Sequence, residues 1–203
     1  MEFDTYLIGL TGNIASGKSV VLQYLANFGA LTIDADLAAQ ETYLPGNSAY
    51  QFILERFGYD LTFNDGQINR SKLGRLVFRD PTALTELEAV IHPLVTQNIF
   101  AAFKTTTRPV SAIEAIKLFE AGIDQYCQSL WAVAADDEIR LNRLMEARGL
   151  DESSARQRIQ SQSPQSEKIR LADHTIYTNT TFTDTYAQTS ALFHSLGLKP
   201  YEI

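Results

Sequence analysis

Apolar residues in this chain fall into short continuous runs separated by longer stretches of helical spacing. Thr5-Tyr6-Leu7-Ile8-Gly9-Leu10 is apolar and β-rich, the pattern of a strand buried on both faces. Leu31-Thr32-Ile33, Val110 to Ile116, Leu130 to Ala134 and His174 to Tyr177 read as four further strands. Val21, Leu22 and Leu25 recur at helical spacing between Lys18 and Asn27, with Gly29 as the stop. Residues 37–106 read as mainly helical, with turns at Pro45-Gly46 and Asp65-Gly66 and a long helix from Asp80-Pro81 past Ile99. Residues 136–171 are charged and helical, broken at Gly149 and Pro164, and a last helix runs from Asp184 to Leu196. Strands alternating with helices predict a mainly parallel sheet covered on both faces. The helical stretches 37–106 and 136–163 are too large for simple crossovers, so the first is expected to be an insertion and the second a lid.

The turn after the first strand carries the chemistry. Gly12-Asn13-Ile14-Ala15-Ser16-Gly17-Lys18-Ser19 matches the phosphate-loop pattern G-x-x-x-x-G-K-[ST] at every fixed position. Glycines let the backbone curl so that successive N–H groups point inward at phosphate oxygens. The helix that follows adds free N-terminal donors and the positive end of its dipole. Gly12, Asn13, Ile14, Ala15, Ser16, Gly17, Lys18, Ser19 and Val20 are therefore the expected nucleotide-phosphate site. Lys18 is suited to the β- and γ-phosphates, and the Ser19 hydroxyl to Mg²⁺. The fold class that follows is α/β: a three-layer P-loop NTPase fold with a five-stranded, mainly parallel sheet. Its core is expected over residues 1–36, 107–135 and 172–203.

Asp34 and Asp36 follow the second strand, at the sheet edge where open parallel sheets bind ligands. On an extended segment the two side chains point the same way. One is a candidate general base and the other a candidate Mg²⁺ ligand through water. A helix N-cap by Asp36, ahead of Leu37-Ala38-Ala39, is the structural alternative. Arg140, Arg143, Arg148, Arg156 and Arg158 cluster in the expected lid, with Lys168 and Arg170 beyond it. Arginine is the side chain that stabilises charge on a transferring phosphoryl group. A mobile arginine lid also excludes water. Acidic neighbours from Asp136 to Glu152 make a solvated helix face the competing reading for most of them.

Length and charge narrow the choices. The chain has 203 residues, 45% hydrophobic and 20% charged, enough for one α/β domain with an insertion. Its net charge of −7 argues against nucleic acid or anionic membrane as a partner, so a polyanionic ligand must rely on local donors. No apolar run approaches a membrane span, and the acidic start Met1-Glu2-Phe3-Asp4 does not read as a secretory signal. The single cysteine, Cys127, excludes an intrachain disulfide and suits a reducing cytoplasm as a buried, inert thiol. His92, His174 and His194 are far apart and form no zinc motif. A monomer is the expectation.

Beyond the phosphate loop, an ordered set of short stretches resembles the dephospho-CoA kinase family over nearly the whole chain. They are Ile8 to Gly12, Ile33-Asp34-Ala35-Asp36, Phe57-Gly58, Asp65-Gly66-Gln67-Ile68-Asn69-Arg70 with Leu73 and Val77-Phe78, Leu87-Glu88, Ile91-His92-Pro93, Leu118-Phe119-Glu120, Arg143-Leu144, Arg158-Ile159 with Gln162, and Ala172-Asp173 with Asn179. The resemblance implies transfer of the γ-phosphate of ATP to the ribose 3′-hydroxyl of dephospho-CoA, with ATP and dephospho-CoA as the small-molecule partners. It implies Asp36 as general base, leaving Asp34 and Ser19 as metal residues. It implies an acceptor region in 37–106 with Asp36, Arg70, His92 and Pro93, and a lid at 136–163. His92-Pro93 as a packed turn is the plainer reading. Three positions depart from the family pattern. Asn13 stands for a usual glycine, a replacement asparagine suits through its tolerance of unusual backbone angles. Ile116-Lys117 stands for a usual Pro-Leu. Ala147 stands where a second lid arginine is usual, with Arg148 one step later, so Arg143 and Arg148 are both catalytic candidates. A nucleoside monophosphate kinase on the same scaffold is the alternative. A GTPase switch is disfavoured, because no Asn-Lys-x-Asp tetrapeptide is present.

Overall fold

The computed structural model describes residues 3–197. Met1 and Glu2 of the acidic start, and residues 198–203 of the expected core, lie outside the described residues. The chain order is β1 (Tyr6–Thr11), α1 (Lys18–Asn27), β2 (Leu31–Asp34), α2 (Ala35–Thr42), α3 (Ser48–Phe57), α4 (Arg70–Val77), α5 (Pro81–Thr105), β3 (Val110–Glu114), β4 (Ser129–Ala134), α6 (Asp137–Arg148), α7 (Glu152–Gln160), α8 (Gln165–Leu171), β5 (His174–Tyr177) and α9 (Phe182–Ser195). Short 3-10 turns lie at Tyr59–Leu61 and Asp124–Tyr126.

The five strands form one sheet in the order β2-β3-β1-β4-β5, and β1–β3, β1–β4 and β4–β5 are all parallel. β1 is central, which explains its uninterrupted apolar run: Leu7, Ile8 and Leu10 are fully buried. Ile8, Leu10, Val110, Trp131, Val133 and Ile176 pack with Val21 and Leu25 of α1 and Phe193 of α9. Thr181 caps α9 reciprocally with Asp184, so the helix starts at Phe182, ahead of the expected Asp184.

All five expected strands are present. β3 stops at Glu114 rather than continuing to Ile116. Ala115 N still reaches Leu10 O, but the Thr11 hydroxyl then takes the carbonyls of Ala115 (2.9 Å) and Ile116 (3.3 Å), so a side chain replaces the ladder. The expected helix breaks hold. Gly149 ends α6 in the left-handed region at φ 61°, and Pro164 precedes α8.

Asp34–Ala102 forms a compact unit of its own, and the remainder forms the other. Within 34–102, Ile53, Leu54, Leu61, Ile68, Leu73, Val77, Leu87 and Ile91 make a separate apolar core. The Asp65-Gly66 turn closes a small antiparallel bridge, Thr62 to Ile68. His92 and Pro93 are not in a turn: both are exposed inside the long helix α5. The apolar spacing of Leu87, Ile91 and Leu94 carries the helix through the proline.

Candidate active site

The loop from Gly12 to Gly17 joins the end of β1 to the first turn of α1. Gly12 has no room for a side chain: a Cβ there would stand 2.3 Å from the Val133 carbonyl oxygen of β4 and 2.7 Å from Ser16 Oγ. Gly17 turns at φ 92° as the N-cap of α1. Asn13 does not need unusual backbone angles. The one non-glycine residue with positive φ among the described residues is Ala15, at 59°. Asn13 is 2% exposed, and its Nδ2 donates to Ser163 O at 2.8 Å. The Ile14 and Ala15 side chains pack with Leu141, Leu144 and Ala155 of α6 and α7. With these side chains packed or bonded away from the loop's concave side, phosphate chemistry here falls to backbone N–H groups other than that of Ile14, which donates to Gln162 Oε1. Val20 continues α1 with its N–H on Gly17 O, and Ser19 is exposed in the first turn.

Lys18 is 7% exposed, with Nζ 3.3 Å from Asn13 O and 3.5 Å from Glu114 Oε1. Glu114 is the last residue of β3 and lies in register with Leu10 of β1. Sequence reasoning missed this buried acid. Its signal was an acidic residue closing an otherwise apolar strand, Val110-Ser111-Ala112-Ile113-Glu114.

The lid arginines separate by environment. Arg143 donates to Ala15 O, to Thr178 Oγ1 and to Thr178 O, and burial pushes its guanidinium below its ordinary value. Arg148 is the exposed last residue of α6. Both line a cavity of about 740 Å³ with Gly17, Ser19, Val20 and Phe182, the last 73% exposed. Arg140 was not singled out from the sequence, yet it is 2% exposed and its Nε donates to Ile14 O at 2.9 Å. Nothing in its spacing sets it apart from the other arginines of the segment. Arg156 is exposed and pairs with Glu152 and Glu138, the solvated-face outcome.

In the unit 34–102, Asp34 and Asp36 do not share an extended segment. β2 ends at Asp34 and α2 begins at Ala35, so the chain has turned helical between them. The helix cap is Asp34, not Asp36: Asp34 Oδ1 accepts from Asp36 N (2.9 Å) and Leu37 N (3.1 Å). Asp36 is exposed in the first turn of α2. Tyr43 lies within electrostatic reach of Asp36 and Arg70. Burial raises its phenol first; Arg70 opposes this and Asp36 adds to it. Arg70 hydrogen-bonds Gln40, and the two line a cavity of about 210 Å³ with Tyr43, Leu44, Gln67 and Ile68. Neither His92 nor Pro93 lines it. Elsewhere, burial beside Asp124 pushes the Cys127 thiol up to about 12, which makes it unreactive at neutral pH. No helix of the described residues is long and apolar enough to cross a membrane.

A glycine loop between a central parallel strand and a helix, with its lysine beside a buried acid, defines the P-loop nucleotide-binding class. The dephospho-CoA kinase family model matches residues 6–184. A dephospho-CoA kinase of Geobacillus kaustophilus is 39% identical over 191 residues, covering 93% of this chain and 95% of that protein. A Thermus thermophilus crystal structure aligns with a TM-score of 0.81 at 32% identity, over 95% of this chain and 97% of that one. A Campylobacter jejuni dephospho-CoA kinase shares the fold, with a TM-score of 0.68 at 23% identity over 94% of this chain and 96% of its own. The chain belongs to the dephospho-CoA kinase family. It is by that membership a kinase, a transferase of nucleotide phosphate.

Proposed function

We propose that this chain transfers the γ-phosphate of ATP to the ribose 3′-hydroxyl of dephospho-CoA, giving coenzyme A. The observation that carries the reading is the phosphate loop, complete in motif and built at the end of the central strand, in a member of this family. The loop N–H groups and the start of α1 cradle the ATP phosphates. Lys18 exchanges its contact with Asn13 O for phosphate oxygens. The 740 Å³ cavity next to Ser19 and Val20 receives the nucleoside, with Phe182 offering an aromatic face.

Asp36 acts as general base on the acceptor hydroxyl, supported by its exposed carboxylate immediately after β2. Residues 37–106 form the acceptor-binding insertion, in which Arg70 supplies a cation and His92 and Pro93 a contact surface. Mg²⁺ fits the donor set, since it needs few protein oxygens beside those of the phosphates. The Ser19 hydroxyl and an oxygen of Asp34, or of Glu114 through water, would hold it, and it would neutralise charge on the phosphates. Residues 136–163 form the lid that excludes water. A cytoplasmic monomer completes the reading.

Arg143 and Arg148 are expected to separate under substitution. Arg148→Ala removes an exposed cation beside the nucleotide cavity and should lower turnover, because its contact strengthens as charge develops. Arg143→Ala removes three donations onto Ala15 and Thr178, so it should also lower thermal stability. Steady-state kinetics with thermal melts check both. If neither variant loses turnover, the lid arginines do not serve the transition state. The function is tested by coupled ADP assay over a panel of acceptor alcohols. Dephospho-CoA should support turnover and nucleoside monophosphates should not; the reverse would favour the nucleoside monophosphate kinase alternative.

A further inference from the structure

From the α7–α8 connection into the first turn of α8 the chain crosses the ends of three strands, and at each one a hydrogen bond fixes it. Beyond β1, Asn13 Nδ2 donates to Ser163 O (2.8 Å) and Ile14 N donates to Gln162 Oε1 (2.8 Å). Beyond β4, Gln165 accepts from Ala135 N (3.4 Å) and donates to Ala135 O (3.0 Å). Beyond β3, the buried ammonium of Lys168, 5% exposed, donates to Ile116 O. Residues 162–168 are thus a strap across the sheet edge where the phosphate loop begins.

Two of these contacts fall on the first turn of the loop. The same turn is gripped from the other side, where Arg140 Nε holds Ile14 O and Arg143 holds Ala15 O. Ile14 is therefore fixed at both its N–H and its carbonyl. A glycine-flanked loop that must order on binding loses affinity to that ordering, and a loop already held does not. A held first turn presents the later N–H groups, from Ala15 onward, in a curled form before any ligand arrives.

We propose that Gln162 and Asn13 are positioning residues for nucleotide binding, latching the strap to the phosphate loop so that the loop is preorganised. The proposal rests on the ATP reading above. Neither residue is given a part in the chemical step. Their loss should raise the KM for ATP more than it lowers kcat.

The test uses the full chain with Gln162→Ala, Gln162→Met, Asn13→Ala and the double variant Asn13→Ala/Gln162→Ala. Melting curves establish folding, and the Met variant keeps the volume at 162 if Ala does not fold. Each single substitution should weaken binding of a non-hydrolysable ATP analogue by about two- to tenfold, the range for one net hydrogen bond. KM for ATP should follow, with kcat changing less. The double variant should lose less than the product of the singles, because one latch is broken in both. Amide exchange over residues 162–168 in the ligand-free protein should quicken. Unchanged analogue affinity in the single variants, while Lys18→Ala binds weakly, would make the strap a packing feature only and overturn the proposal. A fall in kcat at constant KM would also overturn it, by assigning these residues to the chemical step. If Lys18→Ala itself binds the analogue like the parent protein, the ATP reading fails and the proposal falls with it.

Discussion

Lys18→Ala is expected to lower turnover by about 10²–10³-fold, the usual cost of removing one preorganised donor from developing charge. The lysine follows Gly17 at the start of α1 and is held in place by Asn13 O and Glu114 before substrate binds. The same burial affects stability, because alanine leaves the Glu114 carboxylate without this ammonium. Breaking a buried ion pair by removing one member is costly. The companion variant Lys18→Ala/Glu114→Gln should therefore recover melting temperature without recovering turnover. Retention of near-parent activity in well-folded Lys18→Ala would remove the loop from the catalytic site.

Asp36→Asn is expected to slow transfer to dephospho-CoA by about 10²–10⁴-fold while ATP affinity holds, the contribution of a positioned general base. Asparagine keeps the shape and cannot take the hydroxyl proton. The capping contacts of α2 belong to Asp34, so the substitution leaves them in place. What it removes from the helix is a negative charge in the first turn, a modest effect that salt screens. Turnover, analogue affinity and melting temperature of the two proteins separate these effects. A small loss of turnover would reassign the base, with Asp34 next to substitute.

Much of the fold was legible because its signals are local. β1, α1 and the loop between them follow from a buried apolar run, a glycine pattern and a helical repeat, each complete within a few residues. The same holds for Gly149 and Pro164, whose backbone preferences stop and start helices regardless of what packs nearby. The Asp34–Asp36 reading misjudged one residue. It continued the strand through Ala35, whereas Asp34 caps a helix that begins there, which turns Asp36 out of strand geometry. Asn13 was judged by its backbone, but its role in the fold lies in its side chain on Ser163, 150 positions away. The burial of Arg140 and of Glu114 was invisible for a related reason. Burial of a charged residue depends on partners distant in sequence, here Ile14 for one and Lys18 for the other.

The most direct measurement is phosphorus NMR of a reaction containing ATP, Mg²⁺ and dephospho-CoA. The account predicts one new phosphomonoester, on the ribose 3′-hydroxyl, with one ADP formed per coenzyme A and only slow ADP formation when dephospho-CoA is omitted. ADP released at the same rate without dephospho-CoA, or a phosphate on any other position of the acceptor, would contradict it.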